Sequence, residues 1–264
     1  MPDLGRRNAG TRAIITGGAQ GLGLAVARQL AAEGCRAIAL VGRTAAKGIG
    51  AVAELKRLGV SAVFIEADVG RVEDCRRVVT SAIASLGSVN ALVNAAAATD
   101  RGSLLDTEPE SFDRLFATNV RGPFFLMQGV VSHLIETGAP GSIVNVRSMA
   151  AHVGQSYLTG YSASKGALVT LTRNVANAYR QKRIRCNGVL PGWMDTPGED
   201  VVQKTAHDAA DDWLAVAEAR QPMGQLVKPA ELAGLVTYLL SPQSGVMTGA
   251  LIDYDQNVAG AYPE

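Results

Sequence analysis

Short apolar runs alternate with longer segments of helical period along most of the chain. The runs are residues 13–16, 37–41, 62–66, 91–94, 142–146, 184–190 and 250–253. Each is almost continuously aliphatic or β-branched, which is typical of parallel strands buried on both faces of a sheet. Strands that alternate with helices in this way indicate repeated βαβ units. The sequence therefore predicts an α/β protein with a Rossmann-like, doubly wound parallel sheet.

Breaks in the pattern mark helix ends and one irregular segment. Pro109 opens a long helical segment, and Gly138 closes it before the next strand. Residues 157–181 predict another long helix. From 193 to 222 the pattern loosens and Asp, Gly, His and Trp cluster. We expect this variable segment to cover a pocket beyond the carboxyl ends of the strands.

Composition favours one soluble domain without a highly charged partner. The 264 residues are 47% hydrophobic, enough to bury a full core, so residues 1–264 are predicted to form a single domain. Lys and Arg number 25 against 24 Asp and Glu, so no long-range field favours nucleic acid or an anionic membrane. No apolar run approaches the roughly 18 residues that span a bilayer.

The cysteines and histidines argue against disulfides and metal sites. Cys35, Cys75 and Cys186 are an odd number without a CxxC spacing, which fits a reducing compartment. The three histidines lie far apart and form no HxxH or HxxxH pattern. We therefore expect a cytoplasmic protein that binds no metal.

A glycine-rich segment follows the first predicted strand and precedes a helical pattern. It reads TGGAQGLG and includes Gly17, Gln20, Gly21, Leu22 and Gly23. Glycines let backbone amides approach a pyrophosphate closely, and a helix N-terminus adds partial positive charge at that point. The other interpretation is a plain strand-to-helix turn, because 29 glycines make a chance match easy.

Tyr161 and Lys165 are four residues apart and share one face of a predicted helix. A tyrosine with an ordinary pKa of about 10 is a poor proton acceptor at neutral pH, and a nearby ammonium that stabilises its phenolate improves it. An ordinary amphipathic pair has the same spacing. Ser148 strengthens the catalytic interpretation, because it follows a strand end, where α/β sites lie, and its hydroxyl can polarise a substrate oxygen.

Asn119 is a polar residue inside an otherwise apolar helical pattern. One interpretation is an amide that bends the helix and is satisfied by backbone groups. The other is an amide that holds a water in a proton path to Lys165. The sequence leaves both open.

The order of these motifs resembles that of the short-chain dehydrogenase/reductase family over nearly the whole chain. The resemblance implies an NAD(P)-dependent enzyme that transfers a hydride between nicotinamide and a secondary alcohol or ketone. It implies that Asn119, Ser148, Tyr161 and Lys165 are the catalytic residues. The residues implied around the cofactor are Gly17, Gln20, Gly21, Leu22, Gly23, Arg43, Thr44, Asp68, Val69, Asn94, Ala95, Ala96, Tyr161, Lys165, Pro191, Gly192, Met194 and Thr196.

Individual cofactor contacts also follow from the resemblance. Asp68 is expected beside the adenine, and Lys165 is expected to bind the nicotinamide ribose as well as to assist Tyr161. The backbone of Met194 and the hydroxyl of Thr196 are expected to hold the nicotinamide carboxamide.

Two stretches depart from the family pattern. The NNAG motif appears as NAAA at residues 94–97, so one amide and the usual glycine are missing beside the cofactor. The last strand continues into Tyr254, Asp255 and Gln256 instead of ending in glycines. Neither stretch includes a proton-transfer residue.

The end of the second strand bears on the choice between NADP and NAD. NAD-preferring relatives carry an acidic residue at the position of Gly42, and Arg43 follows it here. A guanidinium without a carboxylate beside it favours a 2′-phosphate, so we expect NADP or NAD, with NADP favoured. Ala19 and Gln20 are neutral where some NADP-dependent relatives carry a second basic residue. Arg43 can also stack on adenine in either cofactor.

The residues expected to line the substrate pocket mix polar and aromatic side chains. They are Arg147, Met149, His152, Gln155, Tyr157, Trp193, His207 and Trp213. Such a pocket suits a small-molecule alcohol or carbonyl compound such as a polyol, a sugar or a polar keto compound, although each residue can equally serve in loop packing.

Two other function classes are compatible with the fold. A sensor or regulatory protein that binds a dinucleotide without chemistry has no need of Tyr161, Lys165 and Ser148 together. A sugar-nucleotide epimerase usually has a longer C-terminal region for its substrate.

Two predicted helices carry more apolar positions than one sheet face needs. They cover residues 111–133 and 157–181. Because excess apolar surface seeks a partner, this pattern and the family resemblance together predict a homo-oligomer, a tetramer.

Overall fold

A parallel sheet organises the part of the chain that the computed structural model describes, residues 4–261. Its seven strands lie in the order β3-β2-β1-β4-β5-β6-β7. They are β1 Arg12–Thr16, β2 Ala37–Gly42, β3 Ser61–Glu66, β4 Ala91–Asn94, β5 Gly141–Val146, β6 Ile184–Pro191 and β7 Leu251–Tyr254. Every apolar run singled out in the sequence lies in this sheet, so the predicted α/β fold is confirmed. The winding direction reverses between β1 and β4, which is where doubly wound sheets bind ligands.

Helices cover both faces of the sheet. They are α1 Gly21–Ala32, α2 Ala45–Arg57, α3 Val72–Leu86, α4 Pro109–Phe116, α5 Gly122–Thr137, α6 Thr159–Tyr179, α7 Pro197–Ala206, α8 Trp213–Ala219 and α9 Pro229–Leu240. One apolar core packs α1, α2 and α9 against the sheet, and the other packs α3, α5 and α6. Because both faces are covered, the strands are continuously apolar.

The helical segment that opens at Pro109 is interrupted. After α4 the chain makes a π-helical turn at Ala117–Arg121 and then continues as α5, which ends at Gly138 with a φ of 63°. A π turn inserts an extra residue into the helical repeat. The apolar pattern did not predict the turn. Likewise, the irregular segment 193–222 folds in part, because it contains α7 and α8.

Buried polar contacts tie β4 and β5 to α6. The Asn94 side-chain amide donates to Asn145 Oδ1 at 2.8 Å, and Asn145 Nδ2 donates to Thr172 Oγ1 at 2.9 Å. All three residues are at most 2% exposed. Hydrogen bonds in such a dry environment fix relative positions strongly. They hold α6, which carries Tyr161 and Lys165, against the strand that leads to Ser148.

Neither a membrane-spanning helix nor a cluster of metal-binding side chains is found within residues 4–261. No described helix combines the length and the apolar composition that a membrane crossing requires. In the same residues, no three His, Cys, Asp or Glu side chains are grouped as metal ligands would be.

Candidate active site

The loop between β1 and α1 has the geometry of a phosphate cradle. Gly17 and Gly21 have φ values of 64° and 51°, in the left-handed region that favours glycine. A Cβ on Gly23 would lie 2.4 Å from the carbonyl oxygen of Gly17, so only glycine lets α1 start this close to the loop. Gln20 makes no side-chain hydrogen bond that caps α1. The first N–H groups of the helix are therefore left for an anion, and the loop fits a dinucleotide pyrophosphate.

The segment after β6 lies opposite the glycine loop. Pro191 ends β6, and Thr196 caps α7 by accepting a hydrogen bond from Glu199 N at 3.1 Å. A Cβ on Gly21 would lie 3.6 Å from Thr196 Cγ2. The structure therefore brings the glycine loop and the segment after β6 into contact at the carboxyl edge of the sheet, where the candidate cofactor cleft lies. Gly192 and Met194 lie in that same segment, between Pro191 and the cap.

The backbone after β4 is anchored without the missing amide and glycine. The hydroxyl oxygen of Thr16 accepts hydrogen bonds from the backbone N–H groups of Ala95 and Ala96, both at 3.0 Å. A Cβ on Gly17 would lie 3.0 Å from the Ala96 nitrogen. The altered stretch therefore keeps its position beside the glycine loop through backbone contacts.

The end of β2 places a second cation beside the glycine loop. Gly42 ends β2, and Arg43 and Thr44 lead into α2. Lys47, in the first turn of α2, donates to Gln20 Oε1 at 2.7 Å. Lys47 was not among the predicted cofactor residues, because the local pattern of α2 does not show that this helix reaches the glycine loop. The remaining predicted cofactor residues lie at the carboxyl ends of β3 and β4, and they are Asp68, Val69 and Asn94.

The candidate proton-transfer residues meet at the start of α6. Lys165 is 2% exposed, and its Nζ lies 5.6 Å from the centre of the Tyr161 ring. Lys165 Nζ donates to the carbonyl oxygen of Val146 at 3.2 Å, which fixes the ammonium against the end of β5. Ser148 is two residues further along and accepts from Ala150 N at 3.2 Å. The sequence pattern that suggested these three residues therefore corresponds to a real cluster.

Burial governs the protonation of the pair. Burial raises the pKa of Tyr161, while a hydrogen bond with Ser148 and the charge of Arg101 oppose that rise. Burial, followed by the charge of Arg147, lowers the pKa of Lys165 to about 8. The phenol therefore keeps its proton over the neutral range. This suits proton donation to a carbonyl oxygen, and oxidation of an alcohol, which needs the phenolate, becomes easier as the pH rises.

The side chain of Asn119 is occupied by protein groups. It lies in the π-helical turn and is 1% exposed. Its Nδ2 donates to Ala98 O and to Ser164 Oγ, both at 2.9 Å, and its Oδ1 accepts from Ala98 N at 2.9 Å. Since both amide hydrogens are used, this side chain has none to donate to a water. The geometry favours the structural interpretation, and a catalytic role for Asn119 stays a prediction.

An ion pair bridges two loops next to Tyr161. Gly102 pairs with Leu158, just before α6, and this places Arg101 beside the start of that helix. Arg101 Nη2 lies 3.9 Å from Glu199 Oε1 in the first turn of α7. Both charges act on the Tyr161 phenol. Sequence reasoning missed this pair, because nothing in the local pattern shows that the two loops meet.

Aromatic side chains lie next to Glu199 of this ion pair. Trp193 Nε1 donates to Glu199 Oε1 at 2.9 Å, and Gln203 Nε2 donates to the same oxygen at 2.7 Å. The Trp193 ring stacks on that of Trp213 with a centroid distance of 6.1 Å. The variable segment therefore presents an aromatic face and a carboxylate on one side of the cleft.

Other expected pocket residues are placed differently. The expectation that Arg147 lines the pocket is wrong, because it is 2% exposed and its guanidinium lies on Gly188 of β6. His152 is on the surface, where its Nε2 lies 3.0 Å from Asp253 Oδ1. Tyr157 is 50% exposed. Of the eight residues expected to line the pocket, Trp193 therefore contacts Glu199 of the Arg101–Glu199 pair directly, and Trp213 stacks on Trp193.

Comparison with known proteins identifies the family. A family model described as enoyl-(acyl carrier protein) reductase matches residues 17–256. The chain belongs to the short-chain dehydrogenase/reductase family. The solved structure of a short-chain type dehydrogenase/reductase from Mycobacterium marinum superposes with a TM-score of 0.86 at 31% identity, and the match covers 96% of each chain.

Two curated relatives show the range of substrates within the family. The chain is 34% identical to 2-(S)-hydroxypropyl-CoM dehydrogenase 3 of Xanthobacter autotrophicus, over 91% of this chain and 93% of the relative. It is 31% identical to L-rhamnose 1-dehydrogenase (NAD(P)(+)) of a Sphingomonas species, over 93% of this chain and 95% of the relative.

Replacing Tyr161 with Phe removes the hydroxyl and keeps the ring, so turnover should fall by about 10² to 10⁴ while cofactor affinity stays nearly unchanged. Lys165→Ala should reduce both, because it removes the cofactor contact as well as the charge beside the phenol. Steady-state kinetics and titration of cofactor fluorescence measure the two effects. Wild-type turnover in Tyr161→Phe, or an unchanged cofactor Kd in Lys165→Ala, would contradict these roles.

Proposed function

We propose that this protein interconverts a polyol or sugar-like secondary alcohol and the corresponding ketone, with Tyr161 as the proton donor and acceptor. The general activity, NAD(P)-dependent oxidoreduction of an alcohol, is that of the dehydrogenases to which the chain is similar. The observation that supports the proposal most directly is the cluster of Tyr161, Lys165 and Ser148 at the sheet edge that also holds the glycine cradle.

The side chains divide the work at the substrate oxygen. When bound, the nicotinamide dinucleotide supplies or accepts the hydride. The hydroxyl of Ser148 orients the substrate oxygen, and Tyr161 gives its proton to that oxygen in reduction or takes it in oxidation. Lys165, held by the Val146 carbonyl, provides the positive charge that favours the phenolate during oxidation. The amides of the glycine loop hold the pyrophosphate.

The alternatives from other function classes gain no support. A sensor without chemistry has no need of a buried lysine beside a tyrosine and a serine, and the relatives reported above are named as dehydrogenases. The sugar-nucleotide epimerase alternative has no observation in its favour.

The ion pair over the site supports a polyhydroxylated substrate. Arg101 Nη1 donates to Thr99 O at 2.8 Å, and within residues 4–261 its buried Nε has no partner. Glu199 receives its hydrogen bonds from Trp193 and Gln203 on Oε1, so Oε2 is the oxygen available to a substrate hydroxyl. A donor and an acceptor side by side, next to an aromatic ring, match the hydroxyl groups and apolar face of a sugar or polyol.

A panel of paired alcohols tests the substrate class. Polyols and sugars should be oxidised with a kcat/KM at least about tenfold above that of alcohols of the same size that lack the neighbouring hydroxyl. Glu199→Gln should reduce this preference, because the hydroxyl acceptor is weakened. Loss of the Glu199 charge that acts on Tyr161 affects both members of each pair alike and therefore cancels in the ratio of their kcat/KM values. Absorbance of the reduced cofactor is the measurement. Equal kcat/KM for both members of each pair would remove the support for a polyol or sugar.

We infer that NADP is preferred to NAD. Gly42 offers no carboxylate to the adenine ribose, whereas Arg43 follows it at the end of β2 and Lys47 contacts Gln20 of the glycine loop. The Lys47 ammonium lies at the glycine loop, which the sequence suggested to be neutral. A 2′-phosphate would pair with both cations, and each charge-assisted contact contributes about 1.5 to 3 kcal/mol.

Binding of cofactor fragments tests this preference without a substrate. The 2′-phosphorylated fragment 2′,5′-ADP should bind more tightly than 5′-AMP, by at least about tenfold. Arg43→Ala and Lys47→Ala should each weaken binding of 2′,5′-ADP and leave 5′-AMP nearly unchanged. Lys56→Ala, on the last turn of α2, is the matched control. Calorimetry that finds equal affinities for the two fragments would show that the preference is absent.

We also infer a homotetramer in a reducing compartment such as the cytoplasm. A groove along α4, α5 and α6 is lined by Phe116, Phe124 and Leu171, and the Phe124 side chain is 43% exposed. Apolar surface of this kind supports association. The three cysteines are free and buried, which supports a compartment that keeps thiols reduced.

Light scattering tests the assembly. The mass in solution should be four times the 27.5 kDa of one chain, and Phe124→Glu should lower it, because a charge in the apolar groove opposes association. Phe64→Leu, in β3 and away from the groove, should keep the wild-type mass. A wild-type mass of 27.5 kDa at micromolar concentration would refute the tetramer.

A further inference from the structure

Arg147 is a buried cation that forms no ion pair within the described part of the chain. It is 2% exposed, and none of its three guanidinium nitrogens has a hydrogen-bond partner among residues 4–261. Its position follows from the sheet. Arg147 N donates to Val189 O at 2.9 Å, so the residue continues the pairing of β5 with β6. Asn145, two residues earlier on the same face, donates to Thr172 of α6, and Arg147 therefore lies on the side of the sheet that α6 covers.

Glycine at position 188 is what makes room for this guanidinium. A Cβ on Gly188 would lie 1.8 Å from Arg147 Nη2 and 2.4 Å from its Cζ. No other residue fits there with the arginine in place. The chain thus combines a glycine in the middle of a central strand with a large cation on the next strand, and both choices cost stability.

The position of Arg147 relates it to the proton-transfer pair. It directly precedes Ser148 and directly follows Val146, whose carbonyl holds the Lys165 ammonium at 3.2 Å. We propose that Arg147 is a positioning residue that acts through Lys165: its fixed charge makes the Tyr161–Lys165 pair release a proton at lower pH. The inference rests on the proposed function, since it concerns the pair that is assigned to proton transfer.

The charged groups around Arg147 do not cancel its field. On α6 the neighbours are Lys165 and Arg173, which are cations. On β6 burial raises the pKa of Cys186 to about 12, so that thiol is neutral. On β7 the charge of Asp253 opposes the fall in the pKa of Arg147 in part, but that carboxylate is exposed and lies against His152.

The arginine and the lysine then titrate in separate ranges. Burial lowers the pKa of Arg147 to about 10, so it stays charged while Lys165 titrates near 8. A like charge in a poorly screened interior disfavours the fully protonated pair, and the same charge stabilises the phenolate that oxidation needs, so the pair loses one proton more easily. On the substrate side, the charges that face Tyr161 are those of Arg101 and Glu199.

The sign of the kinetic effect follows. Oxidation of an alcohol requires the pair to have lost one proton, so its rate rises with pH through the pKa of the pair. Reduction requires that proton, so its rate falls through the same pKa. Arg147→Met keeps the approximate length of the side chain and removes its charge. In this variant the pH profile of oxidation and that of reduction should both move to higher pH by about one unit. Oxidation at neutral pH should then fall by about tenfold, and reduction should extend to higher pH.

Titration by NMR tests the proposal without any substrate. Protein labelled with ¹³C at lysine Cε reports the pKa of Lys165, whose signal is the one that is missing in Lys165→Ala. We expect the signal to titrate well below the ordinary lysine value of about 10.4 in the wild type and about one unit higher in Arg147→Met. Arg173→Met, an exposed arginine on the same helix, should shift it far less.

Several outcomes would overturn the proposal. If Lys165 of the wild-type protein titrates near the ordinary lysine value, the proposal is overturned, and this outcome holds even if Arg147→Met fails to fold. The proposal is also overturned if Arg147→Met folds and leaves the titration of Lys165 unchanged. It is overturned as well if Arg173→Met shifts that titration as much as Arg147→Met does. These outcomes leave the proposed function intact, whereas loss of the proposed function would appear as wild-type turnover in Tyr161→Phe.

Discussion

The placement of one buried ammonium is the constraint on which the site depends. Lys165 is 2% exposed, and among residues 4–261 its hydrogen-bond acceptor is the carbonyl oxygen of Val146. Burying a charge with so few partners costs folding free energy. Here the Lys165 ammonium lies 5.6 Å from the centre of the Tyr161 ring. The helix that carries both residues must therefore keep its register against β5 closely. The Asn94–Asn145–Thr172 hydrogen bonds provide this register from within the core.

A second constraint is the close approach of backbone segments at the opposite side of the cleft. Gly17, Gly23 and the backbone of Ala96 lie so near one another that side chains would displace them. The hydroxyl of Thr16 fixes the same region by accepting two backbone hydrogen bonds. Because these contacts use backbone and hydroxyl groups, the loss of the usual amide and glycine from the NAAA stretch is tolerated. The cradle and the proton-transfer pair are thus positioned by different networks in one sheet.

The sequence was sufficient to predict the fold and to predict which residues lie together because of their local spacing. Continuous apolar runs predicted every strand, and the spacing of Tyr161 and Lys165 on one helix placed them together correctly. It was insufficient wherever the contact joins distant segments. Neither the Arg101–Glu199 pair nor the contact of Lys47 with Gln20 leaves a trace in local periodicity. The π-helical turn was missed for a related reason, since one inserted residue barely alters an apolar pattern.

Arg147 shows why a polar residue beside the candidate catalytic Ser148 is ambiguous in a sequence. Arg147 follows β5 directly, and its side chain lies against Gly188 of β6 on the side of the sheet that α6 covers. Once there, the guanidinium finds room only because residue 188 is glycine, a fact that requires the pairing of β5 with β6. Arg147 and Lys165 then lie on one face of the sheet, and neither forms an ion pair with a carboxylate of residues 4–261. Their mutual repulsion destabilises the fold and, by the same interaction, makes the proton of the Tyr161–Lys165 pair easier to remove.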